Sequence, residues 1–244
     1  MQADERFAIT CPGVLSAERV LHVRAGDAGV CLCRDDLTVG WYLPAGWQGL
    51  VVGRGAMKVV SGGLLCETLS GTCLMKLQVF IDMGCGLSQR RPCAASWAAL
   101  PVTATVTASK EGLERWYIEC ALRGDADYQR FAGVVRQSAS YWLVLFLLEQ
   151  GTASEKLIGL ARRYGVSVSH FRRLCHQALG GAAKPELRDW RTAKALLRMI
   201  RGGGSLTDVA LEYGYASSSH FSKEVRELLG VAPSRLLDLM EQRG

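Results

Sequence analysis

The sequence predicts an α+β protein: an N-terminal β-rich domain, barrel or sandwich-like, followed by an all-α domain of two helix-turn-helix units joined by a linker helix. Three observations carry this reading. From Gly29 to Thr107 short apolar runs alternate with Gly, Asp and Pro. After Lys110 apolar residues recur three and four apart, the helical period. Within the helical half, one stretch of sequence occurs twice.

The β reading rests on Val30–Cys33, Leu37–Leu43, Leu50–Val52, Met57–Val60, Leu64–Leu69, Cys73–Phe80 and Thr103–Thr107. Leu37-Thr-Val-Gly-Trp-Tyr and Thr103-Ala-Thr-Val-Thr have the β-branched and aromatic content of strands. Turn residues at Arg34-Asp-Asp, Pro44-Ala-Gly and Ser61-Gly-Gly fall about ten residues apart, the spacing of antiparallel barrels and sandwiches. Amphipathic helices follow over Glu114–Leu122, Asp127–Arg136 and Ser138–Gln150. The change of period places a domain boundary between residues 133 and 138. A β-rich domain with trailing helices then occupies 1–133, and the tandem helix-turn-helix domain 138–241.

The repeat pairs LARRYGVSVSHFRRLCHQALGG (160–181) with VALEYGYASSSHFSKEVRELLGV (209–231). Ala161, Tyr164 and Gly165 recur as Ala210, Tyr213 and Gly214, an offset of 49. Ser169, His170, Phe171, Leu179 and Gly180 recur 50 residues on, so the second turn holds one extra residue. Two short helices crossing closely need a small residue at the contact and a glycine in the turn. Ala161 and Ala210 meet the first need, Gly165 and Gly214 the second. Phe171 and Leu174 with Leu157 and Leu160 form one predicted core; Phe221 and Val225 with Leu206 and Val209 form the other. Ser205-Leu-Thr-Asp208 reads as a capping box opening the second unit. Between the units, Leu187, Trp190, Ala193, Leu196, Leu197 and Ile200 define a helix over Lys184–Ile200, a rod of about 26 Å. Major-groove openings on one face of a duplex lie about 34 Å apart, so this rod suits two readers in adjacent grooves. Gly202-Gly-Gly204 ends it.

Ser169, Arg172 and Arg173 lie off the apolar stripe of the first unit's second helix, as do Ser218, Ser219, Ser222 and Lys223 in the second. Arg bonds guanine O6 and N7, and Ser bonds base edges or phosphate, so these residues are candidate double-stranded DNA contacts. His170 joins them at a repeat position where a structural or phosphate-contacting role outweighs metal binding. Charge points the same way. Residues 1–133 hold 13 basic and 13 acidic side chains, whereas 134–244 hold 16 and 10, so the helical half carries the whole excess of +6.

Other classes fit poorly. The longest apolar run is too short to span a bilayer, and MQADERFAITC lacks an export pattern, so no membrane association and a cytoplasmic location are expected. Nine cysteines form no disulfide framework. Of four histidines three fall in the helical half and His22 stands alone, so neither a metal nor any other cofactor is expected. Arg90-Arg-Pro-Cys93 faintly resembles the nucleophile motif of DNA alkyl-damage repair proteins, but Ala94-Ala95 follow where an activating base is needed. No enzyme is expected. Trp41, Trp47 and Trp97 mark the front half as a surface for a protein or a small molecule, and Trp116-Tyr-Ile118 begins a helix suited to pairing with a second copy or to roofing the barrel.

Leu160-Ala161…Gly165-Val-Ser167, Ala193-Lys-Ala-Leu-Leu197, Val209-Ala210…Gly214-Tyr215, Ser219-His-Phe-Ser222 and Leu228-Leu-Gly230-Val-x-Pro233 together resemble the AraC/XylS family of bacterial transcription regulators. SYWLVLFLLEQG and KPELRDWRTAKALL are similar to one branch of it, the invasion regulators of type III secretion systems (the InvF and MxiE type). The resemblance covers about 138–241 and implies an activator of secretion-effector and chaperone genes, with a secretion chaperone as co-activator and a possible homodimer. It places the DNA-facing positions on Ser169, Arg172, Arg173, Ser218, Ser219, Ser222 and Lys223. A metabolic regulator binding a small molecule in its front domain is the alternative within the family. The chain departs from the pattern at Leu236-Leu237, where an aromatic-Arg pair is usual, and at Val225 and Cys175, which imply looser packing.

Overall fold

The computed structural model describes residues 6–16, 20–34, 40–69, 72–86, 94–151, 156–202 and 204–236. The chain forms two compact units, Met1–Val144 and Leu145–Gly244.

Unit one opens with strands β1 (Arg6–Thr10), β2 (Gly13–Ser16), β3 (Leu21–Ala25), β4 (Val30–Cys33), β5 (Trp41–Leu43), β6 (Gln48–Gly53), β7 (Ala56–Ser61) and β8 (Gly63–Thr68). Helix α1 (Thr72–Gly84) and strand β9 (Trp97–Pro101) follow, then α2 (Ala104–Thr107), α3 (Lys110–Arg123), α4 (Ala126–Val135) and α5 (Ala139–Gln150). The strands make two antiparallel sheets, β1-β8-β3-β6-β9 and β2-β7-β4-β5. Alternation explains the first core: Leu15, Val23, Val30, Leu32, Val51, Met57, Val59 and Cys66 point between the sheets and are almost fully buried.

Strand β6 is buried on both faces, because helix α4 packs over β6 and β9; on the same side of the sheet β3 buries His22 and leaves Arg24 exposed. His22 lies on that second face, registered against Leu50 and Glu67, and is 5% exposed. Its Nδ1 sits 3.6 Å from Glu67 Oε2, and Nε2 is buried without a protein partner. Burial lowers the imidazole pKa below 6.5 despite the neighbouring carboxylate.

A polar network joins the helices of unit one. Asp82 of α1, 1% exposed, accepts two bonds of 2.8 Å from Arg136 and one of 2.7 Å from the Tyr141 hydroxyl. Gln78, one turn earlier, donates to Asp82 and accepts from the Tyr117 and Tyr128 hydroxyls. Arg136 and Tyr141 are therefore bound to α1, and the two units meet at 144/145, inside α5, beyond the 133–138 stretch expected from the change of period.

Two expectations for the front half differ from the structure. Cys73–Phe80, taken as a strand, belongs to α1, whose Leu74, Met75, Gln78, Val79 and Asp82 form one buried helical stripe. Thr103–Thr107, also taken as a strand, is mostly the single turn α2; it finds no sheet partner, and Thr107 Oγ1 donates to the Ala104 carbonyl instead. Within the expected strand Leu37–Leu43, Trp41–Leu43 forms β5, and 35–39 lie outside the described residues.

Unit two continues with α6 (Leu157–Tyr164), α7 (Val168–Leu179), α8 (Ala183–Ile200), α9 (Leu206–Glu212) and α10 (Ser218–Leu229). Around the first helix-turn-helix, Phe146, Tyr164 and Phe171 stack edge to face or tilted, with ring centroids 5.0 to 6.3 Å apart. Around the second, Ala195, Leu196, Met199, Val209, Ala210, Tyr215, Phe221 and Val225 form one buried cluster on the C-terminal half of α8. The substituted positions Val225 and Cys175 are both fully enclosed, and burial pushes the Cys175 thiol up to about 11.

Candidate nucleic-acid interface

The two turns are built alike. After α6, Gly165 takes φ +81°, a left-handed value that costs glycine little, and the Val166 N–H donates to the Ala161 carbonyl at 3.1 Å. After α9, Gly214 takes φ +73°, and the Tyr215 N–H donates to the Ala210 carbonyl at 2.8 Å. The crossing alanines are both buried, at 1% and 0% exposure. From these points the chain reaches its next N-cap at Ser167 in one unit and at Ser217 in the other, so the extra residue predicted in the second turn is Ala216 or its neighbour. Each cap hydroxyl accepts from the third backbone N–H of its helix, that of His170 at 3.3 Å and that of His220 at 3.2 Å. Ser205 and Asp208 close the capping box on α9 in both directions, which holds the Asp208 carboxyl below its usual range.

Each capped start is also electropositive. Neither α7 nor α10 has an acid in its first turn to offset the positive end of its helix dipole. On α7, Ser169, His170, Arg172 and Arg173 are exposed and Phe171 and Cys175 face the core. On α10, Ser219 and Lys223 are exposed, whereas Ser218 and Ser222 are half-buried beside the core stripe of Phe221 and Val225. The predicted residues thus gather on the first two turns of two capped helices, four on each.

One group escaped the sequence reading. Glu224 of α10, turned toward α8, accepts from Thr192 Oγ1 and from the Tyr215 hydroxyl, both at 3.1 Å, and from Arg191 Nη2 at 3.3 and 3.4 Å. The Arg191 guanidinium lies 4.4 Å over the Tyr215 ring. Burial by itself would raise the Glu224 carboxyl; the bonds from Tyr215, Thr192 and Arg191 outweigh it and hold the group below 4.5. Arg191 and Glu224 are 33 residues apart, so spacing carried no signal. The four-residue spacing of His220 and Glu224 was the one local hint.

Unit one offers a cleft of about 240 Å³ between the β5 and β9 edges, lined by Trp41, Trp47 and Trp97 with Asp127 and Arg130 at its rim. The three indoles, read as surface residues, are half-buried and pack on the inter-sheet core. Among the described residues no group of histidine, cysteine or carboxylate side chains could hold a metal, and no single helix is long and apolar enough to cross a membrane. Cys93 lies outside the described residues.

Residues 160–238 match a helix-turn-helix domain family. The chain is 39% identical to the invasion protein InvF of Salmonella typhimurium over 184 residues, 75% of this chain and 85% of that protein. It is 33% identical to the transcriptional regulator MxiE of Shigella flexneri over 129 residues, 52% of this chain and 61% of that protein. Among solved structures, ToxT of Vibrio cholerae aligns over 96% of this chain and 97% of its own, with 11% identity and a TM-score of 0.40. With a duplicated helix-turn-helix at its C-terminal end and an invasion protein matched over most of both lengths, the chain belongs to the AraC/XylS family of transcription activators, in the branch of InvF and MxiE.

Proposed function

We propose that this protein activates type III secretion and invasion genes by laying α7 and α10 into successive major grooves of promoter DNA. The observation that carries the reading is the duplicated, serine-capped helix with basic and hydroxyl side chains on its outer turns, placed in the half of the chain that holds all of the net positive charge. Ser169, His170, Arg172 and Arg173 contact one half-site; Ser218, Ser219, Ser222 and Lys223 contact the next. Arginines read guanine edges, while the hydroxyls and His170 take phosphates or base edges. The N-terminal domain docks a secretion chaperone as co-activator, which agrees with its neutral charge and with the relatives named as an invasion protein and a virulence-regulon activator. It also supports self-association.

Salt dependence tests the DNA arm. Neutralising about six to eight phosphates gives a slope of log K against log salt of about −5 to −7 for the full chain. Fluorescence anisotropy titrations across a salt series measure it, and a slope near zero refutes the reading. Co-purification of the full chain with secretion chaperones from its host tests the co-activator arm.

A further inference from the structure

The two helix-turn-helix units share a turn and a cap, and the second carries polar side chains at positions where the first has apolar ones. In the second unit, Glu224 of α10 collects donors from two other parts of the fold. Arg191 and Thr192 come from α8, and Tyr215 comes from the turn before α10. Thr192 Oγ1 lies 2.8 Å from the Tyr215 hydroxyl and 2.9 Å from the Arg188 carbonyl of its own helix, so its single proton is shared between that carbonyl and Glu224. Arg191 and Glu224 are 16% and 10% exposed at the side chain, and Arg191 Nε is buried with no partner, so the charge of that guanidinium is balanced through Nη2 and the tyrosine face. A more exposed pair, Arg188 with Glu227 at 3.7 Å, spans the same two helices and is weaker for its exposure.

The repeat shows that this arrangement is particular to the second unit. The offsets of 49 and 50 put Val166 where Tyr215 stands and Leu174 where Glu224 stands, both apolar. His170 accordingly has a leucine four residues on, whereas His220 has a carboxylate, with Nε2 3.4 Å from Glu224 Oε1. Glu224 therefore touches α8, the turn and the exposed start of α10 at once, one turn below Ser219 and beside Lys223.

We propose that Glu224 is the positioning residue of the second DNA reader: with Arg191, Thr192 and Tyr215 it bolts α10 to α8, so that recognition of the second half-site, and not of the first, depends on it. The proposal rests on the DNA-binding reading above. A hydrogen-bonded buried pair fixes one geometry, because each donor must meet an acceptor that is available in that geometry alone. Apolar contacts such as those of Leu174 are non-directional and tolerate small rotations.

The probe is a duplex selected from a random-sequence library by the wild-type full-length chain, followed by hydroxyl-radical footprinting and anisotropy. Glu224→Leu, which copies the first unit, is expected to lose protection over the second unit's half-site, keep it over the first, and bind about tenfold more weakly. Glu224→Gln keeps one acceptor oxygen, which can stand in for the Oε2 that meets Tyr215 and Thr192, and is expected to restore most of the protection. Arg191→Lys, which keeps the charge and loses the stack, is expected to fall between them, and it carries the test if the leucine variant does not fold. Equal protection of both half-sites in Glu224→Leu and Arg191→Lys overturns the proposal, as does simultaneous loss of both, which would mark a general structural role. If the wild-type chain selects no duplex, the DNA reading itself fails. If Arg172→Ala and Lys223→Ala bind unchanged while Glu224→Leu loses one half-site, the contact assignment fails and the positioning role stands.

Discussion

Arg172 and Arg173 stand next to each other on α7, but a helix turns by about 100° between neighbours, so they face different parts of a groove. Both are exposed, and Phe171 and Cys175 anchor the helix behind them. Removing either guanidinium leaves that anchor intact. Arg172→Ala and Arg173→Ala are each expected to cost about 1–3 kcal/mol on the selected duplex. A base-contacting arginine also relaxes the preference at one position, whereas a phosphate-contacting one weakens all sequences alike and lowers the salt slope by about one. Anisotropy against a panel of single-base variants separates the two, and unchanged affinity in both mutants refutes the face assignment. These residues were legible in the sequence because a core stripe of Phe and Leu at helical spacing leaves its neighbours outside. Glu224 was not: a glutamate on an amphipathic helix reads as solvated until Arg191 and Tyr215 are known to face it.

At the scale of elements, legibility followed how local the deciding interaction is. Helices α7, α9 and α10 carry serine N-caps, and α6, α7 and α10 end on left-handed glycines, signals complete within a few residues; the helices of both units and the linker α8 appear where the pattern puts them. Strands β1 to β3 were missed because their pairing is distant: β1 meets β8 from Arg6↔Glu67 to Thr10↔Gly63. Helix α1 was misread because its stripe includes Gln78 and Asp82, two polar residues whose partners lie on α3, α4, α5 and Arg136. Close packing yields a sharper expectation than period does. A Cβ at Gly53 would press into the Trp97 indole, and Ala161, at 1% exposure, leaves no open space for a larger side chain in α6. Gly53→Ala and Ala161→Leu are each expected to destabilise their own unit by about 1–3 kcal/mol through overpacking. Thermal denaturation measures this, and unaltered midpoints in both would contradict the packing described.

Across the whole molecule, the division of charge is matched by a division in how each unit responds to acid. In unit one the folded pKa of His22 is depressed below its ordinary 6.5, chiefly by burial. Above pH 6.5 the imidazole is neutral in both the folded and unfolded chain and costs nothing. As pH falls through 6.5 the unfolded chain takes up a proton that the folded chain refuses, so stability declines until the folded pKa is passed. Unit two carries a group whose linkage has the same sign but whose pH window lies lower. The Glu224 carboxyl is held below 4.5, so its contribution is complete above that pH and is lost only as pH falls through its folded value. Acidification from pH 7 to about 5 is therefore expected to loosen the β-rich unit while leaving the second helix-turn-helix intact. Hydrogen exchange, corrected for its intrinsic pH dependence, reads both units in one sample: protection should fall in β3 and β6 and persist in α10. His22→Gln should remove the acid sensitivity of β3 and β6, because no proton then binds preferentially to the unfolded state. If protection falls equally in wild type and variant, titration of His22 does not govern the stability of this unit.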